Sequence, residues 1–597
     1  MTYANLQTPR APKALTKTSA PSAPLSAARV AKDVRVTGAT WIVAELERRG
    51  VRWVSGIPGG AILPLYDALS HSTIRHVLAR HEQGACFIAH GAARATGKAA
   101  VCLATSGPGA TNLVTALADA KADSVPLVAL TAQVPRALIG TDAFQEVDIC
   151  SIVRPITKAC FQATTPSELR RMLPQAFQLA EEGRPGPVLL DVPKDVLCEL
   201  MDERSSQPPG PALPAPLPKP QRPKQQSAIP LRSPSDVATW TAIANWIAES
   251  ERPLLYVGGG IRVARAEEPL LALARKADIP VVSSLHGLGA IPSDDPLHLG
   301  MLGMHGAPYT NYATDEADLV IAVGVRFDDR ATGDPKSFCR NARIVHIDVD
   351  PAEIGKLKAV QLGVACDAHA ALSALAEHVA EQSHSGWRTR IDALRREHEL
   401  VPCCDAERVL QATARVLPRE TWITTDVGQH QMWAAQWLRF ERSRSLITSG
   451  GLGTMGFGLP AAIGAALSGP QQRALCVTGD GSLLMNIQEF VTLAELNLDV
   501  TVLLLNNAQL GLVRQQQELF YGSRFMAAHF QNDLDFAAIG RAFGITAVAL
   551  TADEFCPRAP ELLERRGPQL IEVRVSGRDN VLPMVPPGRS NLEMIVR

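Results

Sequence analysis

The sequence predicts an α/β protein with three doubly wound parallel-sheet domains. From Val51 onward, short runs of β-branched residues and leucine end in Gly, Pro, Ser or Asp, and an Ala-rich amphipathic stretch follows each run. This repeated order of strand, turn and helix is typical of parallel α/β layers. Glycine (44 residues) and proline (43) are plentiful while aromatic residues make up only 5%, which favours many short turns over a β-sandwich or a long helical bundle.

Two breaks divide the 597 residues into three units. Residues 205–234 contain ten prolines and almost no apolar pattern, which indicates an extended linker. A weaker break of polar residues precedes a new helix start at Asp405. We therefore predict a disordered tail (1–35), a first unit (36–200), a linker (201–235), a central unit (236–380), a second linker (381–404), a third unit (405–575) and a C-terminal tail (576–597). The clearest strands are predicted at 100–104, 126–130, 187–192, 253–257, 318–323, 343–348, 422–425, 474–477 and 500–505.

Charge and cysteine content exclude several classes of function. Because 59 Lys and Arg balance 60 Asp and Glu, the chain lacks the positive field of a nucleic-acid-binding protein. The uncharged stretch 445–472 is rich in glycine and contains prolines, so we expect no membrane span. The eleven cysteines are scattered, which predicts no disulfide framework and a cytoplasmic location. Residues 1–32 lack acidic side chains and fit either a transit segment or a disordered tail; their prolines favour the tail.

The strongest local signal is a metal-site pattern in the third unit. Asp480 follows one predicted strand within a Gly-Asp-Gly-Ser sequence, and Asn507 follows the next strand 27 residues later. Both side chains then emerge at one edge of a parallel sheet. Asp480, the Asn507 amide oxygen and the backbone carbonyl of Gln509 would form half of a Mg²⁺ octahedron, and the N–H groups of Gly481 and Ser482 suit a pyrophosphate. The alternative is an ordinary turn followed by an unrelated Asn-Asn turn.

This pairing resembles the motif of thiamin diphosphate enzymes, whose cofactor needs two further features. A carboxylate in a largely apolar site must protonate its aminopyrimidine ring. Glu82 opens an Ala-rich helix of the first unit and is the candidate, although an acid stabilised by the helix dipole is the alternative. A bulky flexible side chain must also hold the two cofactor rings in a V, and Met455 stands among glycines at 450–458. Simple core filling is the alternative for Met455.

Longer segments narrow the resemblance to one family. The chain is similar to the catalytic subunit of acetolactate synthase (acetohydroxyacid synthase) over about 550 residues, in the pattern of the bacterial isozyme I type. The matching segments are 55–64 (SGIPGGAILP), 140–146 (GTDAFQE), 183–188 (GRPGPV), 192–196 (VPKDV), 326–330 (RFDDR) and 583–588 (PMVPPG).

The resemblance implies roles for residues at matching positions. Glu82 would activate the cofactor, Gln145 and the backbone near Gly59 would contact it, and the cations Lys194 and Arg330 would lie along the substrate access path. The family also holds an FAD without a net redox role. The positions that match its cofactor-contacting regions are Arg184, His305 and Arg326 in the segment 305–326, Asp348 and Asp367 in the segment 348–367, and Gln429 near the expected diphosphate. His430 beside it fits the diphosphate site or a surface helix start.

The implied function is that of a thiamin diphosphate-dependent transferase in branched-chain amino-acid biosynthesis. It would join the two-carbon unit left from pyruvate to a second 2-oxo acid, either pyruvate or 2-oxobutyrate. In the superfamily the glutamate and the metal ligands meet across a subunit interface, which implies a homodimer or homotetramer, and the family often adds a small regulatory subunit. Gln516 stands where many members carry a tryptophan that favours 2-oxobutyrate, so we expect two-pyruvate condensation.

Other functions fit the sequence less well. A pyruvate oxidase would share the FAD and the thiamin diphosphate motif, whereas a glyoxylate carboligase would lack Glu82. A Rossmann dehydrogenase could use the glycines at 258–260, but three glycines without G-x-G-x-x-G are weak, and a packed turn is the better interpretation. A catalytically silent scaffold is the remaining alternative.

Overall fold

The computed structural model describes residues 36–201, 231–469 and 471–596. These residues form three α/β units, each built on a parallel sheet, as the sequence predicts. The predicted tail 1–35 and residues 202–230 of the predicted linker lie outside the described residues.

The first unit contains a six-stranded sheet in the order β2-β1-β3-β4-β6-β5. Its strands are β1 (Trp53–Gly56), β2 (Arg75–Leu78), β3 (Ala100–Ala104), β4 (Leu127–Gln133), β5 (Ala159–Gln162) and β6 (Pro187–Pro193). Its helices are α1 (Gly38–Arg48), α2 (Leu63–Ser70), α3 (Glu82–Thr96), α4 (Pro108–Thr111), α5 (Val114–Ala122), α6 (Ile149–Val153), α7 (Pro166–Glu181) and α8 (Lys194–Cys198), with 3-10 turns at Arg136–Leu138 and Arg154–Ile156.

The central unit contains a seven-stranded sheet in the order β10-β9-β8-β11-β12-β13-β7. Its strands are β7 (Leu231–Arg232), β8 (Pro253–Val257), β9 (Val281–Ser283), β10 (His298–Met301), β11 (Leu319–Val323), β12 (Arg343–Asp348) and β13 (Leu362–Ala365). Its helices are α9 (Val237–Glu249), α10 (Gly259–Ala264), α11 (Glu267–Lys276), α12 (Pro308–Glu316), α13 (Asp329–Thr332), α14 (Ala368–His378) and α15 (Ser385–Glu397), with a 3-10 turn at Leu285–Gly287.

The third unit repeats the strand order of the first, as β15-β14-β16-β17-β19-β18. Its strands are β14 (Trp422–Thr425), β15 (Leu446–Ile447), β16 (Ala474–Gly479), β17 (Val500–Asn506), β18 (Thr546–Thr551) and β19 (Gln569–Arg574). Its helices are α16 (Asp405–Val416), α17 (Gln429–Trp437), α18 (Gly458–Ala466), α19 (Asp480–Leu483), α20 (Glu489–Leu496), α21 (Gly511–Phe520), α22 (Phe536–Ala542) and α23 (Ala552–Glu564), and a 3-10 turn at Asn591–Glu593 follows β19.

Helices α3 and α18 join the first unit to the third. The His81 side chain caps α3 by accepting from the Gln83 N–H at 3.0 Å, and α3 is buried along most of its length. Glycines let the two backbones approach closely: a Cβ on Gly91 would lie 2.1 Å from the carbonyl oxygen of Ala461. The interface is therefore a backbone contact that larger side chains would push apart.

Three segments differ from the sequence predictions. The predicted linker 381–404 contains α15, whose Trp387, Ile391 and Leu394 are buried in the core of the central unit. These apolar residues recur at helical spacing but are sparse among charged ones, which hid the helix.

The C-terminal segment, expected to be a tail, folds back along the third and central units. Val581, Met584 and Val585 in it are buried, and the Val585 N–H donates to the Met304 carbonyl at 3.0 Å. Within the predicted linker 201–235, Leu231–Arg232 forms edge strand β7 beside β13. Across the described ranges, every helix is too short or too polar to cross a membrane.

Candidate active site

The carboxyl edge of the third sheet brings the predicted metal ligands together. Asp480 starts α19 directly after β16, and its two oxygens accept from the N–H groups of Gly481 at 3.0 Å and Gln509 at 3.1 Å. Its side chain is only 2% exposed, and this burial raises the pKa of Asp480 to about 6. Asn507 follows β17, the neighbouring strand. Asp480 and Asn507 therefore lie at the ends of neighbouring parallel strands, as their spacing in the sequence predicts.

Asn507 presents an unpaired oxygen at this edge. Its Nδ2 donates to Gln429 Oε1 at 3.2 Å, while its Oδ1 is buried without a hydrogen-bond partner. A buried oxygen in that state normally has a partner, so it marks a place for a cation or water. Among the described residues, no group of three or more His, Cys, Asp or Glu side chains is placed to hold a metal ion. A cation here would rely on one carboxylate, an amide oxygen and backbone carbonyls, a set that Mg²⁺ accepts.

A cavity of about 200 Å³ opens beside these ligands. Its walls include the sequence candidates Gln429, Met455, Asp480, Gly481, Ser482, Asn507 and Gln509. His430 also lines it, is 6% exposed, and has an Nε2 without a partner; burial lowers the pKa of its imidazole to about 3. The interpretation of His430 as a surface residue is therefore wrong.

The carboxyl edge of the first sheet gathers a second set of candidates. Glu82 begins α3 after β2, and its Oε2 accepts from Asn112 Nδ2 at 2.9 Å. A Cβ on Gly109 would lie 3.4 Å from its Oε1, and one on Gly59 would lie 2.5 Å from Thr105, so these glycines let Glu82 and Thr105 approach the backbone closely. Asn112, between α4 and α5, was missed by the sequence analysis, because nothing in the sequence around it marks it as a partner of Glu82.

Gln145 lies at the same edge, on the loop before α6. A Cβ on Gly107 would lie 2.8 Å from the Gln145 Cβ, and Gln145 itself has a positive φ of 61°. A left-handed backbone is uncommon for a side chain of this size and points to a constrained functional loop. The neighbouring Phe144 is 88% exposed.

The two edges do not meet within one chain. All described residues that line the Asp480 cavity come from 427–516, in the third unit. Glu82 belongs instead to an edge whose helix α3 packs on α18, and the Arg80 N–H donates to Glu489 Oε1 at 2.9 Å on that side. Glu82 and the Asp480 cavity therefore lie at different edges of the one chain.

A larger cavity of about 560 Å³ lies between the three units. Its lining includes five sequence candidates: Arg184, His305, Arg326, Arg330 and Asp348. Asp348, at the end of β12, is mostly buried, which raises its pKa to about 6. Burial also lowers the pKa of His305 to about 4, and its Nδ1 lies 3.0 Å from the Pro583 carbonyl. Gly259 and Gly260 of the glycine run 258–260 border this cavity in the first turn of α10, where the Gly260 N–H donates to the Gly324 carbonyl at 3.1 Å.

A buried polar cluster that the sequence did not reveal joins all three units beside this cavity. Arg94 and Asp123 of the first unit pair at 3.0 Å, and His286 of the central unit lies 2.9 Å from each of them. Asp123 also accepts from the N–H groups of Gly450 and Gly451 in the third unit, at 3.0 and 2.7 Å. The glycine-rich segment 450–458, which lines both cavities, is thereby bonded to the first unit and, through Asp123, to His286 of the central unit.

Comparisons with known proteins agree with this architecture. Three family models match in order: "Thiamine pyrophosphate enzyme, N-terminal TPP binding domain" at 36–152, "central domain" at 240–375 and "C-terminal TPP binding domain" at 426–573. The chain is 48% identical over 572 residues to the acetolactate synthase isozyme 1 large subunit of Escherichia coli, covering 94% of this chain and 98% of that protein. The chain belongs to the acetolactate synthase family.

Other relatives lie in the same family. The acetolactate synthase isozyme 2 large subunit of Escherichia coli is 42% identical, covering 94% of this chain and 99% of that protein. The chloroplastic acetolactate synthase 1 of Zea mays is 43% identical, covering 94% and 88% respectively. The similarity predicted from the sequence segments is confirmed.

Thiamin diphosphate is the cofactor of acetolactate synthases, and Mg²⁺ and FAD are typical of the family. The residues of this chain fit all three groups. The unpaired Asn507 oxygen and Asp480 suit Mg²⁺, and Gly481 and Ser482 line the same cavity at the start of α19, which suits a diphosphate. The larger cavity offers Arg184 and Arg326 for phosphate charges and Asp348 for ribose hydroxyls, which suits FAD.

Five candidates lie away from both cavities within the described part of the chain: Gly59, Glu82, Gln145, Lys194 and Asp367. Asp367 is exposed and caps α14 by accepting from the N–H groups of His369 at 2.9 Å and Ala370 at 3.2 Å. Its side chain has a local structural role, and the cofactor contact expected at Asp367 stays a prediction. Lys194 begins α8 after β6, and Gln145 lies at the first edge. The roles expected for Lys194 and Gln145 stay predictions.

Proposed function

We propose that this chain is the catalytic subunit of an acetolactate synthase. It would release CO₂ from one pyruvate and join the remaining two-carbon unit to a second 2-oxo acid. Pyruvate as the second substrate gives 2-acetolactate, and 2-oxobutyrate gives 2-aceto-2-hydroxybutyrate. The observation that carries this proposal is the unpaired Asn507 oxygen beside Asp480, at the Asp480 cavity that Met455 also lines. The chain is also 48% identical to a named synthase subunit over almost its whole length.

Each polar edge would supply one part of the chemistry. Bound thiamin diphosphate supplies the electron sink for decarboxylation. Asp480, Asn507 and the Gln509 carbonyl would hold Mg²⁺, and the Ser482 N–H would face the diphosphate while the Gly481 N–H donates to Asp480. Met455 would support the cofactor rings from below.

Glu82 would hold and exchange the activating proton. Its carboxyl group accepts from Asn112 through one oxygen, which leaves the other free to share a proton with a ring nitrogen. Gln145 and the backbone near Gly59 line the same edge and would contact the cofactor and what is bound to it. Lys194 and Arg330 are cations suited to a 2-oxo acid carboxylate, and Arg330 keeps 62% of its side chain exposed at the larger cavity.

The active unit would be a homodimer or a homotetramer built from dimers. One chain does not bring Glu82 to the Asp480 cavity, so the two edges would meet across a subunit interface. Because relatives of this chain are named large subunits, we also propose that a smaller regulatory partner binds it.

A mixing experiment tests the shared site. Glu82→Gln and Asp480→Asn chains are each expected to be inactive as homodimers. After denaturation and joint refolding, mixed dimers would contain one intact site, and activity should return to about a quarter of the wild-type value. No recovery in mixtures that sediment as mixed dimers would contradict a site shared between chains.

A flavin experiment tests the reaction itself. Acetolactate should form from pyruvate only when both thiamin diphosphate and Mg²⁺ are added, and the absorbance of bound FAD should stay oxidised during turnover. A pyruvate oxidase would instead bleach its flavin with each turnover, and such bleaching would overturn the synthase proposal. The named relatives do not favour that alternative.

A further inference from the structure

A chain of side-chain amides lies behind the candidate metal site. Asn507 Nδ2 donates to Gln429 Oε1 at 3.2 Å. Gln429 Nε2 in turn donates to Gln515 Oε1 at 3.0 Å and to the Asp579 carbonyl at 2.8 Å. Gln515 ends the chain on the backbone of Val581. Gln429 is 3% exposed, while Gln515 and Val581 are 0% exposed, so bulk water does not compete for these bonds.

The Val581 backbone determines which atom of each amide in this row donates and which accepts. Gln515 Nε2 donates to the Val581 carbonyl at 2.9 Å, and Gln515 Oε1 accepts from the Val581 N–H at 2.8 Å. A backbone N–H can only donate and a carbonyl can only accept, so Val581 permits one orientation of the Gln515 amide. In the opposite orientation the Gln515 NH₂ group would face the Val581 N–H and the Gln515 oxygen would face the Val581 carbonyl, so all four buried groups would lose their partners.

Each link then fixes the next one. Because Gln515 Oε1 and the Asp579 carbonyl are both acceptors, Gln429 must turn its NH₂ group toward them and its oxygen toward Asn507. Asn507 must therefore present its NH₂ group to Gln429, which leaves Oδ1 as the unpaired atom at the cavity. An asparagine turned the other way would direct an NH₂ group at the cation, which cannot ligate it.

We infer that Gln515 is a positioning residue for the metal site, which acts through Gln429 to hold the Asn507 oxygen toward the cation. The inference rests on the proposed function, since it assumes that Mg²⁺ binds at Asp480 and Asn507. It also gives the C-terminal segment a role at the site, because the backbone N–H and carbonyl of Val581 orient the Gln515 amide.

The substitution Gln515→Met tests the inference, since methionine has a similar length but makes neither bond. We expect the affinity for Mn²⁺ in the presence of thiamin diphosphate, measured by electron paramagnetic resonance, to fall by about 10- to 100-fold. Gln517→Met is the matched control. Gln517 clamps the Met526 backbone through the same two kinds of bond, at 2.9 and 3.1 Å, without a link to Asn507. Its variant should bind Mn²⁺ as the wild type does.

A second variant separates positioning from general damage to the fold. In Asn507→Asp both side-chain atoms are oxygens, so orientation no longer decides whether an oxygen faces the cation. The double variant Asn507→Asp with Gln515→Met should bind Mn²⁺ about as tightly as Asn507→Asp alone, or up to about twofold more tightly. An equal loss in both backgrounds, or no loss in Gln515→Met alone, would overturn the inference. Failure of the wild-type chain to bind Mn²⁺ with thiamin diphosphate would instead contradict the proposed function.

Discussion

The first and third sheets share one strand order but carry different chemistry at their carboxyl edges. In the first sheet the acid Glu82 follows β2, at the outside of the sheet, and is half-buried among glycines. In the third sheet Asp480 and Asn507 follow β16 and β17, the counterparts of β3 and β4, and Asp480 is 2% exposed. The same topology thus supplies an edge in both units, and the loop residues decide what each edge can do.

The difference in burial suits two different tasks. A group that exchanges a proton needs an accessible oxygen, and Glu82 keeps one beside Gly109. A ligand that holds a cation gains from being fixed, and Asp480 and Asn507 are held by backbone N–H groups and by the amide chain. The predictions below test this division between a mobile proton at one edge and fixed ligands at the other.

The largest effect is expected for Glu82→Gln. Under the proposed role of Glu82, removal of its proton should lower the rate of acetolactate formation by about 10²- to 10⁴-fold. The affinity for thiamin diphosphate and Mg²⁺, measured by titration calorimetry, should stay within about threefold, because the ligands lie at the other edge. Activity that persists in this variant would refute the role given to Glu82.

Asp480→Asn should show the reverse pattern. The amide keeps the shape of the side chain but removes the charge that faces a divalent cation, so Mg²⁺ affinity should fall by more than about 100-fold, beyond the loss typical of an outer-shell partner. Excess Mg²⁺ should restore part of the activity, whereas it should not rescue Glu82→Gln. Equal rescue of both variants would contradict the division between the two edges.

The sequence predicted the parts of this arrangement that follow from local pattern and topology. Strand ends at 479 and 506 place Asp480 and Asn507 at one edge wherever parallel strands are neighbours. The amide chain from Asn507 to Val581 left no signal, because its members are far apart in sequence and single glutamines have no periodicity. The cluster of Arg94, Asp123 and His286 was not predicted for the same reason.

Elements with weak patterns were also missed. Helix α15 has three buried apolar residues among many charged ones, so its amphipathic signal was read as a polar linker. The C-terminal segment is irregular and contains three prolines between 583 and 587, followed by Gly588. Its backbone carbonyls nevertheless accept from Gln429, Gln436 and Gln515. Only the packed structure shows which side chains reach an irregular segment.

The two sheets can also be compared through buried acids on equivalent strands, Asp191 on β6 and Glu572 on β19. Burial raises the pKa of Asp191 to about 6 from the ordinary value of 3.8 that it regains on unfolding. Between these values the folded chain binds the extra proton, so this group makes the free energy of unfolding fall as pH rises. The fall is at most about 3 kcal/mol.

Asp191→Asn should remove this pH dependence. The difference in Tm between the wild type and the variant should therefore change between pH 4 and pH 6, in favour of the variant at the higher pH, and stay constant above about pH 7. Thermal unfolding at one scan rate across this range measures it. A difference that does not vary with pH would show that Asp191 titrates normally.

A smaller loss is expected at the helix pair that holds the two sheets together. Gly91→Ala would place a methyl group 2.1 Å from the Ala461 carbonyl oxygen, so α3 and α18 must separate. We expect a loss of about 1–3 kcal/mol in the free energy of unfolding, measured by denaturant titration. Gly386→Ala is the control, because its Cβ would meet nothing within 4 Å. Equal stability of the two variants would contradict the close backbone contact.

The smallest effect concerns the choice of second substrate. Gln516 lines both cavities, so its side chain lies between the cofactor site and the larger cavity. A tryptophan there would add apolar surface that suits the extra methylene of 2-oxobutyrate, and one methylene is worth roughly 10-fold or somewhat more in selectivity. Gln516→Trp should raise the ratio of 2-aceto-2-hydroxybutyrate to 2-acetolactate by about that factor when both oxo acids compete. Gln517→Trp, one residue further along α21 and outside both cavities, should leave the ratio unchanged; a shift in both variants would place the selectivity elsewhere.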